Sequence, residues 1–307
     1  MRAVITGPTG AIGHALIEEF IRNNDEVLAI CRKGSSRISS LTVSNLVKVL
    51  ELDIDQYDNY IRDNSMIEEK YDVFYHFAWC GTTGEDRNDT DLQSRNIEYA
   101  LSAVRLASFL GCKTFIGAGS QAEYGRVEGV LKADTPTFPE TGYGIAKLCA
   151  GQLTGILCKQ LGMNHIWTRI LSIYGPFDGE KSMIISSLRK MLKGETVSFT
   201  KGEQKWDYLY SRDAGYAMYL LASKGKNGKI YVIGSGEIHE LKYYIQIMIE
   251  KSSTASEIKM GAIPYAPKQV MHLCADITDL HNDTGFVPRV GFEQGIQNTI
   301  DYLRNTL

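Results

Sequence analysis

With 307 residues, 44% apolar and 22% charged, the chain is long enough to bury a large core, as one α/β domain or as a domain with an added lobe. A net charge of −3 gives no reason to expect a nucleic acid or an anionic membrane surface as partner. No apolar run approaches the eighteen or so residues a membrane span requires, and the first residues read as a strand rather than a signal peptide. The six cysteines (Cys31, Cys80, Cys112, Cys149, Cys158, Cys274) are scattered, with no C-x-x-C. That usage predicts a reducing cytoplasm, and with no ligand spacing among the histidines it predicts no metal site.

The first stretch, Val4-Ile5-Thr6-Gly7-Pro8-Thr9-Gly10-Ala11-Ile12-Gly13, reads as strand, tight turn and helix, the helix running through Ala15–Ile21. Glycines suit a turn that needs positive φ or close approach to a ligand. The helix start supplies free N–H groups and the positive dipole end that favour a pyrophosphate. Proline at position 8 makes the spacing G-x-x-G-x-x-G, a variant of the dinucleotide fingerprint. A second strand, Glu26–Cys31, stops at Arg32-Lys33. In NAD-binding sheets an acid about twenty residues past the glycines accepts from the adenosine ribose. Arg32 stands at 32 − 13 = 19 past Gly13. Its planar fork pairs with a 2′-phosphate, so NADP(H) is the preferred cofactor, with NAD(H) the alternative. Arg32 and Lys33 read otherwise as solvated loop charges.

A third strand (46–52) leads to Asp53-Ile54, an acid and an apolar residue of the kind that flank an adenine ring. A fourth (72–79) contains His76, expected as a packed strand histidine, and leads to Cys80-Gly81-Thr82-Thr83-Gly84. Apolar residues at helical spacing predict a helix over 91–110, with Asn96 within it. The fifth strand (114–118) precedes Ser120, and Tyr143-Gly144-Ile145-Ala146-Lys147 heads a helix to Lys159. Tyrosine and lysine four apart share one helix face. A phenol near pKa 10 is a poor acid–base catalyst at neutral pH, and a nearby ammonium favours its anion. Ser120 is placed to donate to the carbonyl oxygen that the tyrosine protonates.

With these residues in place, the chain resembles the extended short-chain dehydrogenase/reductases of the nucleotide-sugar epimerase/dehydratase/reductase group, over nearly its whole length. The carriers are Gly7/Gly10/Gly13, Asp53-Ile54, His76-Phe77-Ala78, Ser120 with Tyr124-Gly125, Tyr143/Lys147, Arg169 with Tyr174-Gly175-Pro176, and Trp206–Tyr210 before Asp213. The resemblance implies Tyr143 as acid–base, Lys147 as ribose binder and pKa modulator, and Ser120 as carbonyl hydrogen bonder. The cofactor contacts expected are Gly7, Thr9, Gly10, Ala11, Ile12, Gly13, Arg32, Asp53, Ile54, Phe77, Ala78, Trp79, Asn96, Tyr143, Lys147 and Leu171. Thr82, Thr83, Gln121, Phe177 and Lys205 are expected at the substrate. For Trp79 and Phe177 core or rim packing competes with that role, and for Lys205 a solvated loop position does. Two departures narrow the chemistry. The 4,6-dehydratases carry an Asp-Glu pair after the residue equivalent to Ser120, where this chain has Gln121-Ala122. Ser172 stands where the family has an asparagine that contacts substrate phosphate.

Beyond a sixth strand (165–171) the pattern predicts a helix over 182–193, short strands at 197–199 and 206–210, a polar turn at 202–205, a helix over 212–223, a strand over 229–233, and helices over 241–251 and 294–303. The fold expected is a Rossmann-type doubly wound parallel sheet (1–174, 207–236) with a smaller, discontinuous α/β substrate lobe (175–206, 237–307). The function expected is an NADP(H)-dependent reductase of a nucleotide-activated 4-keto(-6-deoxy) sugar. The alternatives are an NAD-dependent 4-epimerase and a non-catalytic NADP(H) sensor. The partners expected are the nucleotide sugar and a second copy of the chain in a homodimer, packed through helices 91–110 and 143–159.

Overall fold

The computed structural model describes residues 1–64, 69–253 and 255–306. The first half runs β1 (Arg2–Thr6), α1 (Ala11–Arg22), β2 (Glu26–Cys31), β3 (Val47–Glu51), α2 (Tyr57–Asp63), β4 (Val73–His76), α3 (Thr90–Phe109), β5 (Thr114–Ser120), α4 (Gly142–Gln160) and β6 (Asn164–Ile170). The second half runs β7 (Ser172–Tyr174), α5 (Met183–Leu192), β8 (Val197–Ser198), β9 (Lys205–Trp206), β10 (Tyr208–Tyr210), α6 (Ser211–Lys224), β11 (Ile230–Ile233), β12 (His239–Glu240), α7 (Leu241–Ser252), β13 (Ile258–Lys259), α8 (Thr278–Thr284) and α9 (Phe292–Arg304). Seven parallel strands form the central sheet in the order β11-β6-β5-β4-β1-β2-β3. The order reverses between β1 and β4, and in such sheets ligands bind beyond the carboxyl ends at that crevice.

Both faces of the sheet are covered, so its strands read as continuous apolar runs. Ala3 and Ile5 of β1 and Val73 and Tyr75 of β4 join the core under α1 and α6, while Val4 and Phe74 join the core under α2, α3 and α4. A third core, built on Tyr174, Leu188, Phe199, Tyr210, Tyr244, Ile296 and Ile300, holds the smaller lobe together. Within 237–307, α8 packs back on the main domain: Leu280 and Phe286 share the core of α1 and α6.

The sheet, its flanking helices and the lobe helices match the sequence expectation to within a few residues at most ends. Three differences have physical causes. The predicted strand 206–210 is broken in two at Asp207, whose buried carboxylate turns inward to accept from Ser235 N and Oγ, Gly236 N and Ala275 N. Strand β4 stops at His76: beyond it the Phe77 amide is shared between the Thr6 carbonyl and the Thr6 hydroxyl, and the Ala78 amide bonds that hydroxyl alone. Helix α2, strand β7 and helix α8 went unforeseen because each is seven residues or fewer, too short to show a period.

Helices α1 and α6 touch through Gly215, where a Cβ would lie 2.6 Å from Ala15 C and 2.7 Å from Leu16 N. Gly215→Val is expected to cost about 1–3 kcal/mol or more, read as a lower urea midpoint in equilibrium unfolding.

Candidate active site

The glycine turn closes against β4. Gly7 has φ +68°, and a Cβ there would lie 2.9 Å from Ala78 N. A Cβ on Gly13 would lie 2.6 Å from Gly7 O, so α1 can start directly over the turn only with glycine at that place. Gly10 caps α1, and the first intrahelical bond runs from His14 N to Gly10 O. The amides before His14 therefore remain free of the helix ladder, which suits an anionic ligand. Gly7, Gly10, Ala11, Ile12 and Gly13 line one end of a cleft of about 600 Å³. This cradle, which side chains would fill, fits the pyrophosphate of a nicotinamide dinucleotide.

The same cleft is lined by Ser120, Tyr143 and Lys147. Ser120 ends β5 and caps the short turn after it: its Oγ accepts from Ala122 N at 3.2 Å, and its own amide donates to Glu123 Oε1 at 2.8 Å. Thr141 caps α4 by accepting from Gly144 N, which sets Tyr143 in the first turn of the helix. Burial raises the Tyr143 phenol, while interaction with the Ser120 side chain and the charge of Arg87 pull it down and Glu123 pushes it up. Lys147 is buried and donates to Ala118 O at 2.6 Å; its Nζ lies 3.7 Å from the Trp79 ring centroid. Burial brings its pKa down to about 7, against the raising effect of Glu123. Trp79 also meets Tyr143 edge-on at 6.2 Å, with its Nε1 donating to Gln93.

The remaining expected residues divide. Phe77, Trp79, Thr82, Thr83 and Leu171 line the cleft. Thr9 lies in the turn, its carbonyl accepting from Arg37, and Ala78 backs Gly7. At the ends of β2 and β3, Arg32 is exposed, Asp53 accepts from Lys33 N at 3.1 Å, and Ile54 packs on the core beside α2. Among the described residues no hydrogen bond or ion pair engages the Arg32 side chain. His76 is a buried strand histidine on Thr6, as expected, its pKa pushed down to about 3 by burial and then by Lys147.

Four further expected residues lie outside the cleft lining. Asn96 does not line the cleft: it donates to Cys80 O and accepts from Cys80 N, clamping the loop after β4. Phe177 lies outside the cleft lining, stacked on His14 at 3.6 Å and against Tyr302 at 4.9 Å. Lys205 lies on an exposed strand, its backbone bonded to Met271 and Leu273. Gln121 sits in the turn after Ser120, outside the cleft lining.

Arg87 and Asp178 escaped sequence reasoning, and Tyr174, Trp206 and Tyr208 were noted in the sequence without a place in the site. Arg87 lies with its guanidinium 4.4 Å from the Tyr143 ring centroid and Nη1 donating to Thr82 O at 2.8 Å. Asp178, Tyr174, Trp206 and Tyr208 line the lobe wall. Ser172 accepts from Trp206 Nε1 at 2.8 Å. Behind the site, Glu123 is fully buried and accepts from Ser120 N, Trp167 Nε1 and Arg169 Nε. The E-Y-G step was visible, but nothing local marked its carboxylate as the interior partner of Arg169.

Two measurements check these electrostatics. Glu123→Gln leaves the Arg169 guanidinium buried without its counter-charge, so the variant should lose about 3–5 kcal/mol in denaturant unfolding. Below about pH 7 Lys147 is protonated in both folded and unfolded chains. Between there and its usual 10.5 the unfolded chain binds more protons, so this group makes stability rise with pH. Relative to Lys147→Met, wild type should therefore gain about 1 kcal/mol per pH unit from pH 7 to 9, read by urea titration at each pH.

Among the described residues, no group of histidine, cysteine and acidic side chains is arranged to hold a metal, and no helix is long and apolar enough to cross a membrane. The model of the NAD-dependent epimerase/dehydratase family matches residues 3–234. A dTDP-glucose 4,6-dehydratase of Streptomyces niveus is 26% identical over 333 residues, covering 99% of this chain and 93% of that protein. A UDP-N-acetyl-alpha-D-glucosaminuronate decarboxylase of Bacillus cytotoxicus is 26% identical over 330 residues, covering 99% and 98%. Among solved structures, a UDP-glucose 4-epimerase of Thermotoga maritima superposes with a TM-score of 0.87 at 22% identity, covering 100% of this chain and 99% of that one. The UDP-glucuronic acid 4-epimerase of Bacillus cereus, solved with UDP-glucuronic acid and NAD, gives 0.86 at 21% with both chains fully covered. The chain belongs to the NAD-dependent epimerase/dehydratase family, enzymes of the extended short-chain dehydrogenase/reductase type.

Proposed function

We propose that the protein is an NADP(H)-dependent reductase of a nucleotide-activated 4-keto sugar, with a 4-keto-6-deoxyhexose as the preferred class. The observation that carries this reading is that Ser120, Tyr143 and Lys147 line one cleft with the glycine turn. A bound nicotinamide dinucleotide supplies hydride exchange at the sugar carbon. Tyr143 gives its phenolic proton to the carbonyl oxygen, and Ser120 donates a hydrogen bond to the same oxygen. The Lys147 ammonium, one helical turn away, holds a cofactor ribose hydroxyl and favours the phenolate left behind. Trp79, Leu171, Met183 and Tyr208 supply apolar surface along the walls of the cleft.

Two features support reduction over dehydration. Gln121 and Ala122 supply no carboxylate, and neighbouring Glu123 is committed in the interior to Ser120, Trp167 and Arg169. Arg32, free at the end of β2, supports the phosphorylated cofactor. The second reading, an NAD-dependent 4-epimerase, draws support from the same Ser/Tyr/Lys set and from the likeness to 4-epimerase structures. We also read the apolar stripe Ile145, Leu153 and Ile156 on α4, 54%, 38% and 56% exposed, as the homodimer face.

Tyr143→Phe should reduce turnover about 10²–10⁴-fold with cofactor affinity nearly intact, followed at 340 nm with UDP- and dTDP-linked 4-keto sugars. Protein that purifies with bound NAD⁺ and converts sugar with no net change at 340 nm would establish the epimerase instead. Arg32→Asp should weaken NADP⁺ about tenfold or more while NAD⁺ changes little, measured by isothermal titration.

A further inference from the structure

The positive charge in the cleft is distributed unequally. Among the described residues lining it, only Arg87 and Lys147 are cationic. Lys147 lies deep, already bonded to Ala118 O and covered by the Trp79 ring. Across the cleft, the lobe contributes Asp178, Ser182, Met183, Ile184, Trp206 and Tyr208, without a lysine or arginine. Ser172 and Trp206 are hydrogen-bonded to each other. An anionic substrate therefore finds no cation on the lobe wall.

Arg87 is different. It projects from the loop after β4, partly buried, beside the exposed hydroxyls of Thr82 and Thr83. One guanidinium nitrogen donates to Thr82 O and the plane lies against the Tyr143 ring. No carboxylate pairs with it among the described residues, although most arginines of the chain have one within 4 Å. A cation fixed at one end, with the rest of its donor fork unused, is suited to two parallel hydrogen bonds to an oxyanion.

We propose that Arg87 is the anchor for an oxyanion of the substrate, gripped from the tyrosine side of the cleft rather than from the lobe. With the guanidinium 4.4 Å from the Tyr143 ring centroid, that oxyanion is held on the same side of the cleft as the proton donor. A nucleotide diphosphate and a carboxylate on the sugar both satisfy this chemistry. The inference rests on the nucleotide-sugar reading.

The test is titration calorimetry of the NADP⁺-loaded protein with UDP, UDP-glucose and UDP-glucuronic acid, for wild type, Arg87→Gln and Arg87→Lys. If the diphosphate is gripped, Arg87→Gln weakens all three ligands roughly ten- to a hundredfold. If the carboxylate is gripped, it weakens UDP-glucuronic acid alone by that factor. Arg87→Lys recovers part of either loss, because it keeps the charge but not the fork. Unchanged affinities for all three in Arg87→Gln, with an unchanged melting temperature, overturn the proposal. So does an equal loss in both variants, which marks a loop-holding role. Failure of wild type to bind any of the three counts against the uridine-sugar reading and leaves Arg87 to a separate arm. There, Arg87 modification by phenylglyoxal is followed by mass spectrometry. Protection by inorganic pyrophosphate or glucuronate supports the anchor, and protection by neither overturns it.

Discussion

A single carboxylate in the interior organises the chemistry at the mouth of the sheet. Glu123 is removed from water and takes three donors at once: the Ser120 amide, the Trp167 indole and the Arg169 guanidinium. A charge in that position is tolerable only with a counter-ion and its lone pairs filled, and Arg169 supplies the first while the two neutral donors complete the second. The arrangement fixes the backbone where β5 turns, hence the direction of the Ser120 hydroxyl. It also sets a negative potential behind the helix that carries Tyr143 and Lys147, adding to the effect of burial on the phenol and opposing the effect of burial on the lysine. The lysine needs this help, because burial alone drives it toward neutrality. Serine, tyrosine and lysine thus depend on an acid that touches none of the cleft contents.

What sequence could and could not reveal follows from the range of each interaction. The glycine turn was legible because its demands are local: φ at Gly7 and the space at Gly13 are set within a few residues. The tyrosine–lysine spacing was legible because helix geometry converts four residues into one face. The parallel, doubly wound class of the sheet was legible from the alternation of strand and helix. The roles of Asn96 and Phe177 were not legible, because each depends on a partner distant in the chain. Asn96 is consumed by the Cys80 backbone sixteen residues earlier, and Phe177 by a ring on α1. Arg87 was passed over for the same reason: it sits in an aperiodic loop, and only the fold brings it against Tyr143.

The two walls of the cleft also differ in kind. The sheet side offers backbone amides, a hydroxyl and cations. The lobe side offers tyrosines, a tryptophan, small hydroxyls and Asp178, a carboxyl whose pKa burial raises while Ser182 and the Gly179 amide hold it down. Edge-on and tilted rings among Tyr174, Tyr208, Tyr244 and Phe292 pack in and behind that wall. The lobe wall is thus built of rings and hydroxyls, whereas the opposite wall carries the positive charge.

The knot at Asp207 bears on how the protein can be taken apart. Its carboxylate gathers donors from residues 235, 236 and 275, so three distant stretches of chain meet at one buried acid. A fragment ending after β11 would lack all of these donors, and grafting a foreign lobe onto this sheet would mean rebuilding the same junction. The two lobes share that junction, and neither side of it is complete without the other.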